Sequence, residues 1–198
     1  MLKELKPALW MVVWMTLLTG VFYPALVTGL AQLFFPHEAS GSLLRSGEQI
    51  VGSSLIGQPF SDQQYFWGRP SATTPMPYNA ASSGASNLGP LNPALAEAVQ
   101  TRIAALKESD PSQMQPIPVD LVTSSASGLD PHISPDAALW QTPRVARARN
   151  LSVQEVLQLV QKHTEGRTFG ILGEPRVNVL TLNLAMDRQI FKAHSNGD

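Results

Sequence analysis

The sequence predicts an α+β domain carried by a single N-terminal membrane-spanning helix. Three observations predict it. Residues 8–35, ALWMVVWMTLLTGVFYPALVTGLAQLFF, contain no charged side chain. Beyond them, helix-start signals recur ahead of apolar stripes at helical spacing. Between those stripes lie short apolar runs with the spacing of strands.

The uncharged run comes first. Its 28 residues make a helix roughly 42 Å long at about 1.5 Å per residue, enough to cross a hydrocarbon core of about 30 Å with some tilt. Trp10 and Trp14 near its start and Phe34 and Phe35 at its end suit the two interfaces. A cleaved signal peptide is the competing reading, with Lys3 and Lys6 as its basic region and Gly29-Leu30-Ala31 as a small-residue cleavage site. Signal cores run only about 7–15 residues, so the length favours a permanent anchor. Lys3 and Lys6 before the helix, against Arg45 alone soon after it, put the N-terminus in the cytoplasm. The expected organisation is a cytoplasmic tail over 1–7, a transmembrane helix over 8–35 and an extracytoplasmic α+β domain over 36–198. At 100° per residue, Ala25, Thr28, Gly29 and Gln32 share one face of the outer half of the anchor. Small residues there admit a close helix partner, and Gln32 in hydrocarbon needs a hydrogen bond. Pro24 is expected to kink the helix just before that face.

The chain has 14 basic and 15 acidic residues; Lys3, Lys6 and Glu4 lie before the anchor, which leaves the outer domain two charges negative. That excludes a nucleic-acid surface built on phosphate neutralisation. There is no cysteine, hence no disulfide framework.

In the outer domain, Ile50–Phe60 reads as one or two weak strands. From Pro70 to Ala96 there is neither a charge nor a histidine, and 16 of the 24 residues from Pro70 to Pro93 are Pro, Gly, Ser, Thr or Asn. Such a stretch is either a flexible linker or a functional loop, with Met76, Tyr78, Leu88 and Leu91 as its available anchors. Asn92-Pro93 opens a helix with Leu95, Val99, Ile103 and Leu106 as its stripe, and Asp110-Pro111 stops it. Val119–Thr123 reads as a short strand. Ser134-Pro135-Asp136 starts a helix, Thr142-Pro143 starts a second one carrying Arg144 and Arg147, and Ser152 with Glu155 is a capping box for a third, stapled by Leu151 and Val156. Gly166 is expected to close that third helix near Lys162 and His163. At the C-terminus, Leu180, Leu182 and Leu184 alternate with Thr181 and Asn183, the pattern of a central strand.

Ser127, Asp130 and His132 lie within six positions. A catalytic triad needs side chains that converge from a folded framework, and GxSxG is absent. Asp130 and His132 supply two metal ligands with nothing nearby to complete a set. A hydrogen-bonded turn that orders the surface around it is the preferred reading. A membrane-tethered extracytoplasmic Ser/His/Asp hydrolase is the competing one. There is no GxxxxGK[ST] and no DKTGT, so nothing in the chain reads as a site that hydrolyses ATP.

Seven segments together resemble the KdpC family, the C subunit of the Kdp-type potassium-transporting P-type ATPase of bacteria: YPALVTGLAQ at 23–32, GSSLIGQPF at 52–60, YFWGRPS at 65–71, SNLGPLNP at 86–93, DLVTSSASGLDPHISPDAA at 120–138, RVARARNL at 144–151 and GEPRVNVLTLNLA at 173–185. The resemblance runs nearly end to end. Two positions depart from it: Ala85 and Asn150 stand where glycine is expected, both in turns, and asparagine tolerates the left-handed region.

The resemblance implies one membrane helix and one soluble domain in the bacterial inner membrane. It implies assembly with a channel-like potassium-binding subunit, an ATP-hydrolysing P-type subunit and a small single-helix subunit. It also implies a catalytic chaperone that raises the ATP affinity of the hydrolysing subunit, and members are often classed as ATP-binding. An external domain cannot touch cytoplasmic ATP, so a non-catalytic role in assembly, covering the potassium entrance, is expected. On that reading the chain has no catalytic residue, metal or cofactor of its own, and ATP and potassium are handled by the complex. The expected partner contacts are Ala25, Thr28, Gly29 and Gln32 in the anchor, with Met76, Tyr78, Asn87, Leu88, Asp130 and His132 in the outer domain.

Overall fold

The computed structural model describes residues 2–195, with side chains described as far as Gln189. The chain divides into two compact units, Met1–Ser53 and Ser54–Asp198.

The first unit begins with a continuous helical run. Helix α1 spans Leu2–Leu17, a π turn occupies Leu18–Phe22, and α2 spans Tyr23–Phe34. The π turn has a local cause. Pro24 has no N–H to give to the carbonyl one α-turn back. The chain widens just before it, with the Tyr23 N–H bonded five residues back to Leu18 O. The proline expected to kink the anchor is thus met by a wide turn. One stretch of 32 residues, Lys3–Phe34, is long and apolar enough to cross a membrane. None of its most apolar window is buried. Pro36–Ala39 forms the short helix α3. Strands β1 (Leu43–Ser46) and β2 (Gln49–Ser53) then pair antiparallel around Gly47, whose φ of 61° suits the tight turn.

The second unit is built on α5 (Pro135–Arg149), which buries Ala137, Ala138, Trp140, Gln141, Thr142, Arg144, Val145, Ala146 and Arg149. Against it packs α6 (Val153–Lys162), and α4 (Pro93–Ser109) and α7 (Val179–Ser195) contribute side chains to the same core. A small antiparallel sheet joins them, in the order β3 (His132–Ile133), β5 (Arg176–Asn178), β4 (Thr164–Glu165). Phe66, Leu106, Leu121, Ile133, Val145, Val156, Val160, Val177, Leu182 and Met186 form the core.

The expected caps are present. Asn92 accepts from Ala94 N, Ser134 from Ala137 N, and Ser152 with Glu155 makes the reciprocal capping box. The α4 stripe faces inward, with Leu106 fully buried. Asn150 ends α5 at φ 54°, the left-handed conformation for which asparagine is the tolerated substitute for glycine.

Several elements differ from expectation. Residues 179–185 are not a strand. Asn178 caps a helix there, with its Oδ1 accepting from Thr181 N at 3.1 Å. Val179, Leu180, Leu182, Asn183 and Met186 are the buried positions, which is helical spacing. An apolar run with polar residues at 181 and 183 fits both periods, and packing decides. Val119–Leu121 is a 3₁₀ turn rather than a strand, buried at Leu121. Thr142-Pro143 starts no new helix. Pro143 lies inside α5, which continues through it with buried residues on both sides. Helix α6 ends at His163, whose N–H bonds to Leu159 O, and Gly166 follows β4 instead of closing the helix. Of Ile50–Phe60 only the stretch to Ser53 is a strand, and its partner β1 was not anticipated.

The organising feature is a buried segment in no regular element. Phe66, Trp67 and Gly68 are all buried and belong to no helix or strand. Their backbone groups have no strand partner, so side chains supply one. Asn183 Oδ1 accepts from Phe66 N at 2.9 Å and its Nδ2 donates to Phe66 O at 3.0 Å. Gln141 repeats the arrangement on Trp67, at 2.8 and 3.1 Å. Arg102 Nη2 donates to Gly68 O at 3.0 Å, Arg149 Nε to Gln64 O at 2.6 Å, and Arg144 Nη1 to Gln63 O. The Arg144 and Arg102 guanidinium groups also lie over the Trp67 ring, at 4.7 and 5.3 Å.

Asn183→Ala strands both polar groups of Phe66 in the core. At about 1–3 kcal/mol per buried unpaired group, unfolding free energy should fall by roughly 2–6 kcal/mol. That is a drop of roughly 5–15 °C in melting temperature for a domain of this size. Gln154→Ala, on the exposed side of α6, should change little. Circular-dichroism melting of the full chain in detergent checks both.

Candidate docking surface

The turn from Ser127 to His132 is built from its own polar groups. Ser127 Oγ accepts from Leu129 N at 3.1 Å. Asp130 Oδ1 accepts from His132 N at 3.0 Å and lies 3.3 Å from the His132 ring Nδ1. Asp130 Oδ2 pairs with Arg69 Nη1 at 3.2 Å, and Arg69 Nη2 donates to Ser124 O. Burial pushes the Asp130 carboxyl up. The hydrogen bonds from His132 and the nearby positive charges outweigh that and leave it below the ordinary carboxylate value.

The main chain of this turn receives the uncharged loop. Gly57 N donates to Leu129 O at 2.9 Å, Gly84 N and Ser83 Oγ both donate to Ser127 O at 2.9 Å, and Ser71 Oγ donates to Gly128 O at 2.7 Å. Gly128 must be glycine. Its φ is +68°, and a Cβ there would lie 2.5 Å from the Thr73 methyl and 2.7 Å from Gly84 O.

Inside the loop, hydroxyls replace secondary structure. Tyr78 N donates to Ser71 Oγ at 2.9 Å, Asn79 N to Thr73 Oγ1 at 3.0 Å, and Thr73 Oγ1 to Met76 O at 2.8 Å. The Tyr78 hydroxyl donates to Arg69 O at 2.6 Å, and its ring fills the space that a side chain on Gly57 or Gly68 would need. Burial raises the Tyr78 phenol above its usual value. Of the linker and ordered-loop readings, the structure supports the ordered loop.

The expected contact residues fall into three groups. Ala25, Thr28, Gly29 and Gln32 are exposed on α2, and a Cβ on Gly29 would meet nothing within 4 Å. Met76 and Asn87 are exposed on the loop. Tyr78, Leu88, Asp130 and His132 are half-buried, with Tyr78, Asp130 and His132 bonded inward. Leu91, expected as an anchor, is 97% exposed.

The hydrolase reading finds no triad here. The His132 ring faces Asp130, while the Ser127 hydroxyl is taken up by its own turn, and among the described residues the two are not hydrogen-bonded to each other. Among the described residues there is also no group of three His, Asp or Glu side chains placed to hold a metal ion. The arginines of 144–149 are structural staples, buried at Arg144 and Arg149 and exposed at Arg147. Arg144 and Arg149 hold the Gln63 and Gln64 carbonyls, and Arg147 pairs with the buried Asp110.

Sequence reasoning missed Gln141, Asn183 and Arg69. The signal was there for Asn183: a lone amide among leucines needs a buried partner.

Known proteins resemble this chain over nearly its whole length. The family model described as KdpC, K+-transporting ATPase, c chain, matches residues 5–188. The potassium-transporting ATPase KdpC subunit of Methylococcus capsulatus is 61% identical over 187 residues, covering 94% of this chain and 98% of that protein. That of Herpetosiphon aurantiacus is 64% identical over 183 residues, covering 92% and 95%. That of Sorangium cellulosum is 60% identical over 187 residues, covering 94% and 98%. The chain, with its one apolar N-terminal helix and its α+β domain, belongs to the KdpC family, the c chain of the K+-transporting ATPase.

Proposed function

We propose that the chain is a non-catalytic assembly subunit of the potassium-transporting ATPase, with its N-terminus in the cytoplasm and its α+β domain outside the inner membrane. There it docks on a channel-like potassium-binding subunit, stabilises the complex and covers the potassium entrance. The observation that carries this is the ordered, uncharged loop fastened to the 127–132 turn. Residues 70–96 hold no charge, yet the part from Ser71 to Gly84 is held by its own hydroxyls and by the backbone of the turn. A surface that is rigid before binding loses little entropy on docking. One without positive charge does not repel a cation entering beside it. The ATP-hydrolysing subunit and a small single-helix subunit complete the assembly, with the Ala25/Thr28/Gly29/Gln32 face of α2 packing on another membrane helix. Any effect on ATP affinity is transmitted through the complex and needs no nucleotide on this domain.

Orientation is tested by labelling. The chain has no cysteine, so single reporters at Arg45→Cys or Gln100→Cys are clean. Both should react with an impermeant thiol reagent in intact spheroplasts; labelling only after lysis would place the domain in the cytoplasm.

Docking is separable from chemistry. Ser127→Ala and His132→Ala should leave potassium-stimulated ATPase of the assembled complex within a few-fold of wild type, whereas loss of a triad member costs several orders of magnitude. Met76→Lys with Ser82→Lys adds two charges to exposed positions of the loop and spares its internal hydrogen bonds. It should lower complex recovery or apparent potassium affinity several-fold. A silent double lysine variant together with an inactive His132→Ala complex would reverse the assignment.

A further inference from the structure

We propose that the hairpin tip at Phe169–Leu172 is a preformed apolar plug that seats in an uncharged, apolar pocket on another subunit of the ATPase. The proposal extends the assembly reading to a second contact, away from the 70–93 loop.

Phe169 is 89% exposed, Ile171 75% and Leu172 57%. Single exposed hydrophobics are ordinary, but three within four residues at the end of a projecting turn are not. The tip is also stiff. Thr168 and Leu172 exchange both backbone hydrogen bonds, at 2.9 and 3.0 Å, and Gly170 N donates to Arg167 O at 3.0 Å. Phe169 itself sits at φ +54° between them. An aromatic residue is held in the left-handed region although glycine would adopt it without strain and would present nothing to bind. Below the tip the two arms are locked in register. Arg167 pairs with Glu174 at 2.6 Å, and Arg176 with Glu165 at 2.9 Å, directly across β4 and β5.

These ion pairs identify the occupant. Exposed pairs add little stability, but here they cancel the charge around the tip. A lipid-inserting loop uses free Lys or Arg to meet headgroups. This one commits both of its arginines, Arg167 and Arg176, to carboxylates. A neutral rim around a rigid apolar knob suits a protein pocket, and a chain of this family has other subunits to supply one.

The test uses the full chain with one reporter. Ile171→Cys, labelled with a small environment-sensitive fluorophore, leaves Phe169 and Leu172 in place. Its emission should stay that of an exposed dye when the chain is alone in nanodiscs and shift to the blue when the complex assembles. A blue shift in nanodiscs of the chain alone would overturn the proposal in favour of lipid, and no shift in the assembled complex would overturn it outright. Separately, Phe169→Asn with Ile171→Ser should lower recovery of this chain with the complex by about tenfold or more, at low and high salt alike, without changing its melting temperature. Unchanged recovery would also overturn it. None of these readouts depends on which side of the membrane the domain occupies, so they fail or succeed independently of the topology labelling.

Discussion

A backbone segment that crosses a hydrophobic core outside any sheet must find partners for every N–H and C=O, and the second unit of this protein depends on how that is done. Two side-chain amides, Asn183 on α7 and Gln141 on α5, each hold one residue of the Phe66–Trp67 segment by both of its polar groups. Four buried backbone groups at about 1–3 kcal/mol each amount to roughly 4–12 kcal/mol, comparable with the net stability of a whole domain. The amides therefore decide whether α5 and α7 can close on this segment at all. The buried arginines follow the same logic. Arg144, which burial lowers to about 10, is still charged at neutral pH; it finds Gln63 O, the Gln141 amide oxygen and the Trp67 ring in place of water.

The candidate docking surface hangs from this segment. Immediately after Gly68, Arg69 reaches Asp130 and Ser124, and its own carbonyl receives the Tyr78 hydroxyl. The loop then closes on the main chain of residues 127–129. A stretch whose composition is that of a linker thus becomes ordered, because one end is fixed in the core and Ser71 and Thr73 supply the hydrogen bonds that a ladder would have provided. Its lack of charge costs nothing in stability, since none of its bonds is ionic, and it leaves a neutral face outward.

What the sequence revealed follows from which interactions are local. The long apolar helix, the caps at Asn92, Ser134 and Ser152 and the left-handed Asn150 were legible because each depends on residues within a few positions. The α7 helix was not, since Leu180, Leu182 and Leu184 fit a strand as well as a helix until the core selects Leu182, Asn183 and Met186. The break expected at Pro143 failed for a related reason: burial on both sides of the proline outweighs one lost hydrogen bond. The amide partners of Phe66 and Trp67 lie 117 and 74 positions away, and no local pattern reports such a pair. The contact set read from the sequence mixed two kinds of residue. Met76 and Asn87 face outward, while Tyr78 and Asp130 hold the surface together from within.

Native-state hydrogen exchange measures this arrangement most directly. If Asn183 and Gln141 carry the central segment, the Phe66 and Trp67 amides should exchange as slowly as Val177 in the sheet, although neither lies in a strand. The Tyr78, Asn79 and Gly84 amides should show intermediate protection in the chain alone. Exchange at Phe66 and Trp67 as fast as at an open loop would contradict the account at its centre.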